Sequence, residues 1–124
     1  MNRERRLRRK AEFLTVQRQG RLWAHPLLII RVLPNQLGHS RFGFLVSRSV
    51  GNAVVRNRVK RRLREIARRE PFQEGWDVVF IARAGLNRST FAQTTEAVRE
   101  LLRRGRLLRP PETPLEQSDQ RELD

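Results

Sequence analysis

The sequence predicts an α/β (α+β) two-layer sandwich, a small mixed sheet with helices packed on it, in the order α-β-β-β-α-β-α. Three observations predict it. Apolar residues recur at helical spacing in three separate stretches, short β-branched and aromatic runs lie between them, and 124 residues suffice for one modest hydrophobic core but not for two. The expected organisation is a basic flexible arm over 1–10, one domain over 11–105 and an acidic, Pro-containing disordered tail over 106–124.

The elements follow in chain order. Residues 1–10 hold six basic side chains, with Leu7 the one apolar residue after the start, so no core pattern orders them. Phe13, Val16 and Leu14 then mark a short helix over 11–18, and Gly20 supplies its stop. A short extra strand is expected over 21–23. Residues 27–33 form a β-branched run ended by Pro34, Asn35 and Gly38, and in 41–47 Phe42, Phe44 and Val46 alternate with Gly43 and Leu45. These two runs read as antiparallel neighbours joined by a loop. From Ala53 to Arg69, Val55, Val59, Leu63 and Ile66 recur at steps of four, four and three, which is the buried stripe of one helix. Pro71 and Gly75 break the chain before residues 76–82, whose Val78-Val79-Phe80-Ile81 centre suits a covered strand. Ser89 or Thr90 caps a last helix that buries Phe91, Thr94 or Thr95, Val98, Leu101 and Leu102. Beyond Arg106 three prolines and five acids leave no apolar pattern with which to fold.

Charge points to the partner. There are 27 Lys and Arg against 13 Asp and Glu, a formal charge of +14, and Arg makes up nearly all the cations. Such a surface repels itself, and a phosphate backbone relieves the repulsion while releasing counterions. Arg grips phosphate with two hydrogen bonds and stacks on bases. With no cysteine, disulfides and thiolate metal sites are excluded. No apolar run approaches the ~18 residues of a membrane span and the N-terminus lacks the pattern of a signal peptide, so a cytoplasmic protein with no membrane partner is expected.

Catalytic residues are hard to assemble. His25 and His39 sit in turn-like surroundings without a carboxylate near in sequence to orient them. Glu74 and Asp77 flank Trp76, while Glu12, Glu65, Glu70, Glu96 and Glu100 lie among Arg, a pattern that reads as surface ion pairing. No metal-ligand spacing and no phosphate-binding Gly-rich loop is present. The basic helix is more informative. Eight cations between Ala53 and Arg69 face Glu65 alone, with Arg56, Lys60 and Arg64 in a row at steps of four and Asn57, Arg61 and Arg68 beside it. The amide of Asn57 adds a group able to touch a base edge or a sugar hydroxyl inside a phosphate-binding surface. Phe42, Phe44, Phe80 and Phe91 read as core, and Phe13, following the arm, is the best candidate for stacking. In the 27–33 strand, Arg31 shares a face with Ile29 and Leu33, which is odd unless that face opens to a groove.

The stretch from Phe42 to Arg61, with Gly51, Ala53-Val54, Arg56-Asn57 and Lys60-Arg61 in ungapped order, resembles the signature of the bacterial ribonuclease P protein family. Residues 6–13 resemble that family's start and residues 77–83 its fourth strand. The resemblance runs from about Arg5 to Arg104. It implies a ribosomal-S5-like fold with a left-handed crossover between parallel strands. It also implies a protein that assists a catalytic RNA in removing the 5′ leader of precursor tRNA and is not a nuclease alone, with no active site in this chain. The protein itself would hold no cofactor, and Mg2+ would belong to the RNA-containing holoenzyme. Arg56, Asn57, Arg58, Lys60, Arg61 and Arg64, with Arg48 and Arg68 flanking them, would face the catalytic RNA subunit. A cleft between the first helix and the sheet, lined by Phe13, Gln17, Ile29 and Arg31, would take the leader. Gln17 and Arg31 stand where the family often carries aromatic residues, which shifts the expected contact from stacking toward phosphate.

The rival reading is a small basic structural protein of the ribosome, which shares size, Arg richness and a possible kindred fold. Composition does not separate the two; rescue of leader cleavage by a catalytic RNA at moderate salt does. A free-standing nuclease lacks candidate residues. Residues 112–124, with five acids against Arg121, are expected to compete with non-specific RNA for the basic helix.

Overall fold

The computed structural model describes residues 3–109. The helices are α1 (Lys10–Gln19), α2 (Ala53–Arg69) and α3 (Phe91–Gly105); the strands are β1 (Arg21–Ala24), β2 (Leu28–Pro34), β3 (Arg41–Leu45) and β4 (Trp76–Ala82). The order matches the sequence expectation. The helix starts are specified locally: the Asn52 side chain accepts the Val55 amide at 3.0 Å, and Thr90 and Gln93 form a reciprocal capping box. At the end of α3, Arg106 adopts a left-handed conformation (φ 57°) and the Leu107 amide donates back to the Leu102 carbonyl.

The strands lie in the order β1-β2-β4-β3. This corrects one expectation, because β2 and β3 are not neighbours: β4 lies between them, antiparallel to β2 and parallel to β3. The reason is burial. β2 and β4 are the two seven-residue strands and pair along their whole length in the sheet interior, burying Leu28, Ile30, Val32, Val78 and Phe80, whereas the five-residue β3 takes the edge. The connection steps across β4 using Gln36 (φ 59°) and Gly38 (φ 81°), and Asn35 ties it by donating to the His39 carbonyl at 3.1 Å.

The sheet divides its residues between two unequal cores. Leu28, Ile30, Val32, Phe42 and Phe80 face α2 and α3 and bury Val59, Leu63, Ile66, Val98 and Leu101. Phe42 meets Phe72 edge-on at 4.7 Å, and Phe44 lies parallel to Phe80 at 5.4 Å. The opposite face packs Leu7, Val16 and Val79 with Phe13, Leu33, Leu45 and Ile81 under α1. Ile29, Arg31, Leu33, Leu45 and Ile81 on this face are half-buried, so the single helix leaves part of it open.

Two terminal expectations also change. Residues 3–9, expected as a free arm, dock on the β3 edge: Leu7 is buried, its amide donates to the Phe42 carbonyl at 2.9 Å, and Arg5 forks onto Glu74 at 2.9 and 3.0 Å. One apolar side chain plus backbone pairing suffices, and composition does not reveal backbone pairing. The tail expected from 106 starts as ordered chain, with Leu107 buried and 107–109 pairing with 71–73. The acidic residues 112–124 lie outside the described residues.

Candidate nucleic-acid interface

Helix α2 buries Val59, Leu63, Ile66 and Ala67, and this stripe fixes where its cations point. Each step of four advances about 40° around the axis. The row Arg56, Lys60, Arg64 therefore climbs along one flank of the buried stripe and stays half-buried, while Asn57, Arg58, Arg61 and Arg68 are exposed. Arg56, Lys60, Arg64, Asn57, Arg68 and Arg61 thus share one side of the helix, and Arg58 lies about 200° around the axis from Arg56. Arg48 is exposed in the turn 48–50 ahead of the helix, where the Val50 amide closes onto the Ser47 carbonyl.

The cations differ in how they are compensated. Arg68 and Arg69 share Glu65, at 2.6 and 2.7 Å, and both are more than half exposed, so their pairs contribute little to stability. Arg56 donates to the Gly51 carbonyl and Arg62 to the Ser89 carbonyl, which orients them without neutralising them. Arg64 lies over the Phe44 ring at 5.9 Å with its Nε buried and unpartnered. Burial and the nearby Arg6 charge both push the Arg64 guanidinium below its ordinary range. Among the described residues Arg56, Arg58, Lys60, Arg61 and Arg64 make no ion pair.

On the α1 face, strand pairing lays out rows across the sheet. Gly43, Val79, Arg31 and Leu22 form one row, and Leu45, Ile81, Ile29 and Ala24 the next. Phe13, Val16 and Gln17 share the sheet-facing side of α1 at i, i+3 and i+4. The Phe13 ring lies directly on Gly43, where a Cβ would stand 2.4 Å from its Cε1. Phe13, Gln17, Ile29 and Arg31 are all half-buried, and Arg31 reaches the Gly20 carbonyl at 3.5 Å from the end of α1. The four expected residues are therefore on the two elements that bound the open part of this face.

An ion cluster anchors α1 there. Asp77, expected among surface ion pairs, is buried and receives Arg41 through two bonds of 2.9 and 2.8 Å, with Asn35 as a third donor at 2.8 Å. Arg41 Nη1 also reaches Glu12 at 2.8 Å, and Glu12 accepts the Arg8 and Arg9 amides at the start of α1. Burial alone would raise the Glu12 carboxyl, but the Arg9 and Arg8 amides and the Arg41 charge outweigh it and hold it below the usual carboxylate range. Arg41 is raised, chiefly by its bond to Asp77. Sequence reasoning missed this clamp because Arg41 lies 29 residues from Glu12 and 36 from Asp77.

The histidines do local work. His25 Nδ1 accepts the Leu27 amide at 3.0 Å, and His39 Nε2 meets the Glu4 carbonyl at 3.1 Å. Among the described residues no three His, Cys, Asp or Glu side chains converge as a metal site, and no helix is long and apolar enough to cross a membrane. Of the aromatics read as core, Phe42 and Phe80 are buried and Phe44 is half-buried. Phe91 is 39% exposed, with Arg69 6.0 Å from its ring centre.

A basic helix beside a sheet face half-covered by one helix has counterparts among known proteins. The Ribonuclease P family profile matches residues 1–106. The chain belongs to the ribonuclease P protein family. It is 41% identical over 116 residues to the ribonuclease P protein component of Herpetosiphon aurantiacus, covering 92% of this chain and 94% of that one. It is 43% identical over 108 residues to that of Dehalococcoides mccartyi, covering 87% and 90%. Its fold superposes on the RNase P protein of Thermotoga maritima with a TM-score of 0.74 at 33% identity, covering 80% of this chain and 96% of that one. The Staphylococcus aureus RNase P protein gives a TM-score of 0.77 at 26% identity, covering 85% and 98%. The four-stranded mixed sheet with three helices is therefore the fold of the ribonuclease P proteins, as the signature from Phe42 to Arg61 implied.

Proposed function

We propose that the chain, as the protein component of ribonuclease P, binds the catalytic RNA through α2 and the 5′ leader of precursor tRNA through the open face between α1 and the sheet. It is the RNA-binding subunit of the enzyme, and the RNA performs the hydrolysis. The observation that carries this reading is the uncompensated row on α2: Arg56 is held by the Gly51 carbonyl and Arg64 over the Phe44 ring, with Lys60 between them, and among the described residues none of the three has a carboxylate partner. Cations fixed beforehand lose less freedom on meeting phosphate. Each phosphate they neutralise releases counterions and lowers the repulsion between catalytic RNA and substrate.

The second surface supports leader binding by its mixed chemistry. Ile29, Ile81 and Leu45 offer an apolar floor, Phe13 an aromatic wall, and Arg31 a guanidinium beside both. A single strand needs that combination of stacking and phosphate contact. Magnesium belongs to the RNA on this reading, since the carboxylates nearest the open face, Glu12 and Asp77, are committed to Arg41.

The test is salt-dependent binding to ribonuclease P RNA. Replacing Arg56 and Lys60 together with Ala lowers the slope of log affinity against log salt by about two, while the fold survives loss of the Arg56 bond to the Gly51 carbonyl at a cost of about 0.5–1.5 kcal/mol. An unchanged slope removes both residues from the interface.

A further inference from the structure

We propose that Arg6 and Arg64 together form a clamp for a single phosphate of the RNA, built when residues 3–9 dock on the edge of β3. The proposal rests on the RNA-binding reading and adds to it a site that needs both the N-terminal segment and α2. Strand register brings the two side chains together. Arg6 pairs with Phe42 in a parallel bridge, and residues paired across a ladder project to the same side. Phe42 faces the α2 core and the next residue, Leu7, joins the α1 core, so Arg6 projects on the α2 side of the edge. Two residues along β3, Phe44 holds Arg64 on that same side.

Both guanidinium groups therefore project on the same side of the β3 edge, two residues apart along it, where the Arg6 charge lowers the Arg64 guanidinium, and neither makes an ion pair among the described residues. Several nearby cations are compensated: Arg5 by Glu74, Arg41 by Asp77 and Glu12, Arg68 by Glu65. The Arg64 Nε is also buried without an acceptor, a donor left unmatched beside an uncompensated like charge. Unsatisfied buried donors are rare because each costs free energy, and two like charges on one side of the strand edge add repulsion. A phosphate oxygen accepting from both guanidiniums cancels the repulsion. The ligand chemistry is a phosphodiester, since a monovalent anionic oxygen pair accepts from two forks.

The experiment uses the full chain with Arg6→Gln, Arg64→Gln and the double variant; Gln keeps a stem over Phe44 and preserves the fold. Affinity for ribonuclease P RNA is measured across a salt series, and melting temperature with and without inorganic phosphate. For a shared phosphate, the double variant lowers the salt slope by about one, and its affinity loss falls at least about threefold short of the product of the two single losses. Inorganic phosphate raises the melting temperature of the unaltered chain more than that of either variant. A slope change of about two with losses that multiply assigns the residues to separate phosphates and overturns the clamp while leaving RNA binding intact. An unchanged slope and affinity in both single variants overturns it as well. Absence of RNA binding by the unaltered chain would instead remove the RNA-binding reading, and the clamp with it.

Discussion

Gly43→Ala is a test of how the α1 face is built, because its sign depends on one other residue. A Cβ at position 43 stands 2.4 Å from Phe13 Cε1, 2.7 Å from Cζ and 3.3 Å from Leu7 Cβ, where carbon atoms prefer 3.5–4.0 Å. The ring must retreat by about 1 Å. It is not free to do so, since Val16 on the same helix is fully buried and Glu12 is pinned by Arg41. Overpacking of this kind costs about 1–3 kcal/mol, and loss of glycine from the unfolded chain returns about 0.4–1, leaving a net loss of about 1–2 kcal/mol. In a Phe13→Ala background the obstructing ring is gone and only the Leu7 contact remains, so the same Gly43→Ala change becomes neutral or stabilising. Urea denaturation of the four proteins measures the cycle. Equal losses from Gly43→Ala in both backgrounds would refute the argument that Gly43 exists to seat Phe13.

Other consequences can be measured separately. Phe13→Ala costs roughly ten-fold in the reconstituted enzyme's affinity for leader-bearing precursor tRNA, with Arg31→Ala also selective for that substrate; equal losses on leaderless RNA would remove both residues from the leader site. Because the folded Glu12 carboxyl lies below its unfolded value of 4.5, the unfolded chain binds more protons in that range, so the contribution of Glu12 is present above it and is lost as pH falls through the folded value. Glu12→Gln therefore flattens the acid limb of melting temperature against pH, and an unchanged limb would contradict the clamp at the start of α1. Deleting residues 112–124 leaves melting unchanged and tightens non-specific RNA binding at low salt; unchanged non-specific affinity would leave the acidic tail without a role in RNA competition.

What was legible in the sequence follows from the range of each interaction. The α2 stripe repeats every three or four residues, so the helix, its buried side and its row of cations could all be read from residues 53–69. The seating of Ile29 and Arg31 on one face followed from strand alternation. Strand order was not legible: nothing local in 27–33 or 41–47 says that β4, arriving from residue 76, inserts between them. The docking of residues 3–9 was equally hidden, because backbone bonds to β3 hold it and Leu7 is its one apolar anchor. In the sequence Arg6 therefore reads as part of a loose basic arm, and the Arg41–Asp77–Glu12 clamp, assembled from three distant segments, reads as scattered surface charge.

The central claim, that this chain assists a catalytic RNA and is no nuclease itself, is tested most directly by reconstitution. Ribonuclease P RNA is assayed for removal of the 5′ leader from precursor tRNA at moderate salt, with and without the purified chain, and the chain is assayed alone. The account predicts that the chain restores cleavage the RNA otherwise performs only at high salt and that the chain alone leaves the substrate intact. Failure to restore cleavage, or cleavage at the leader junction by the chain without RNA, would contradict it.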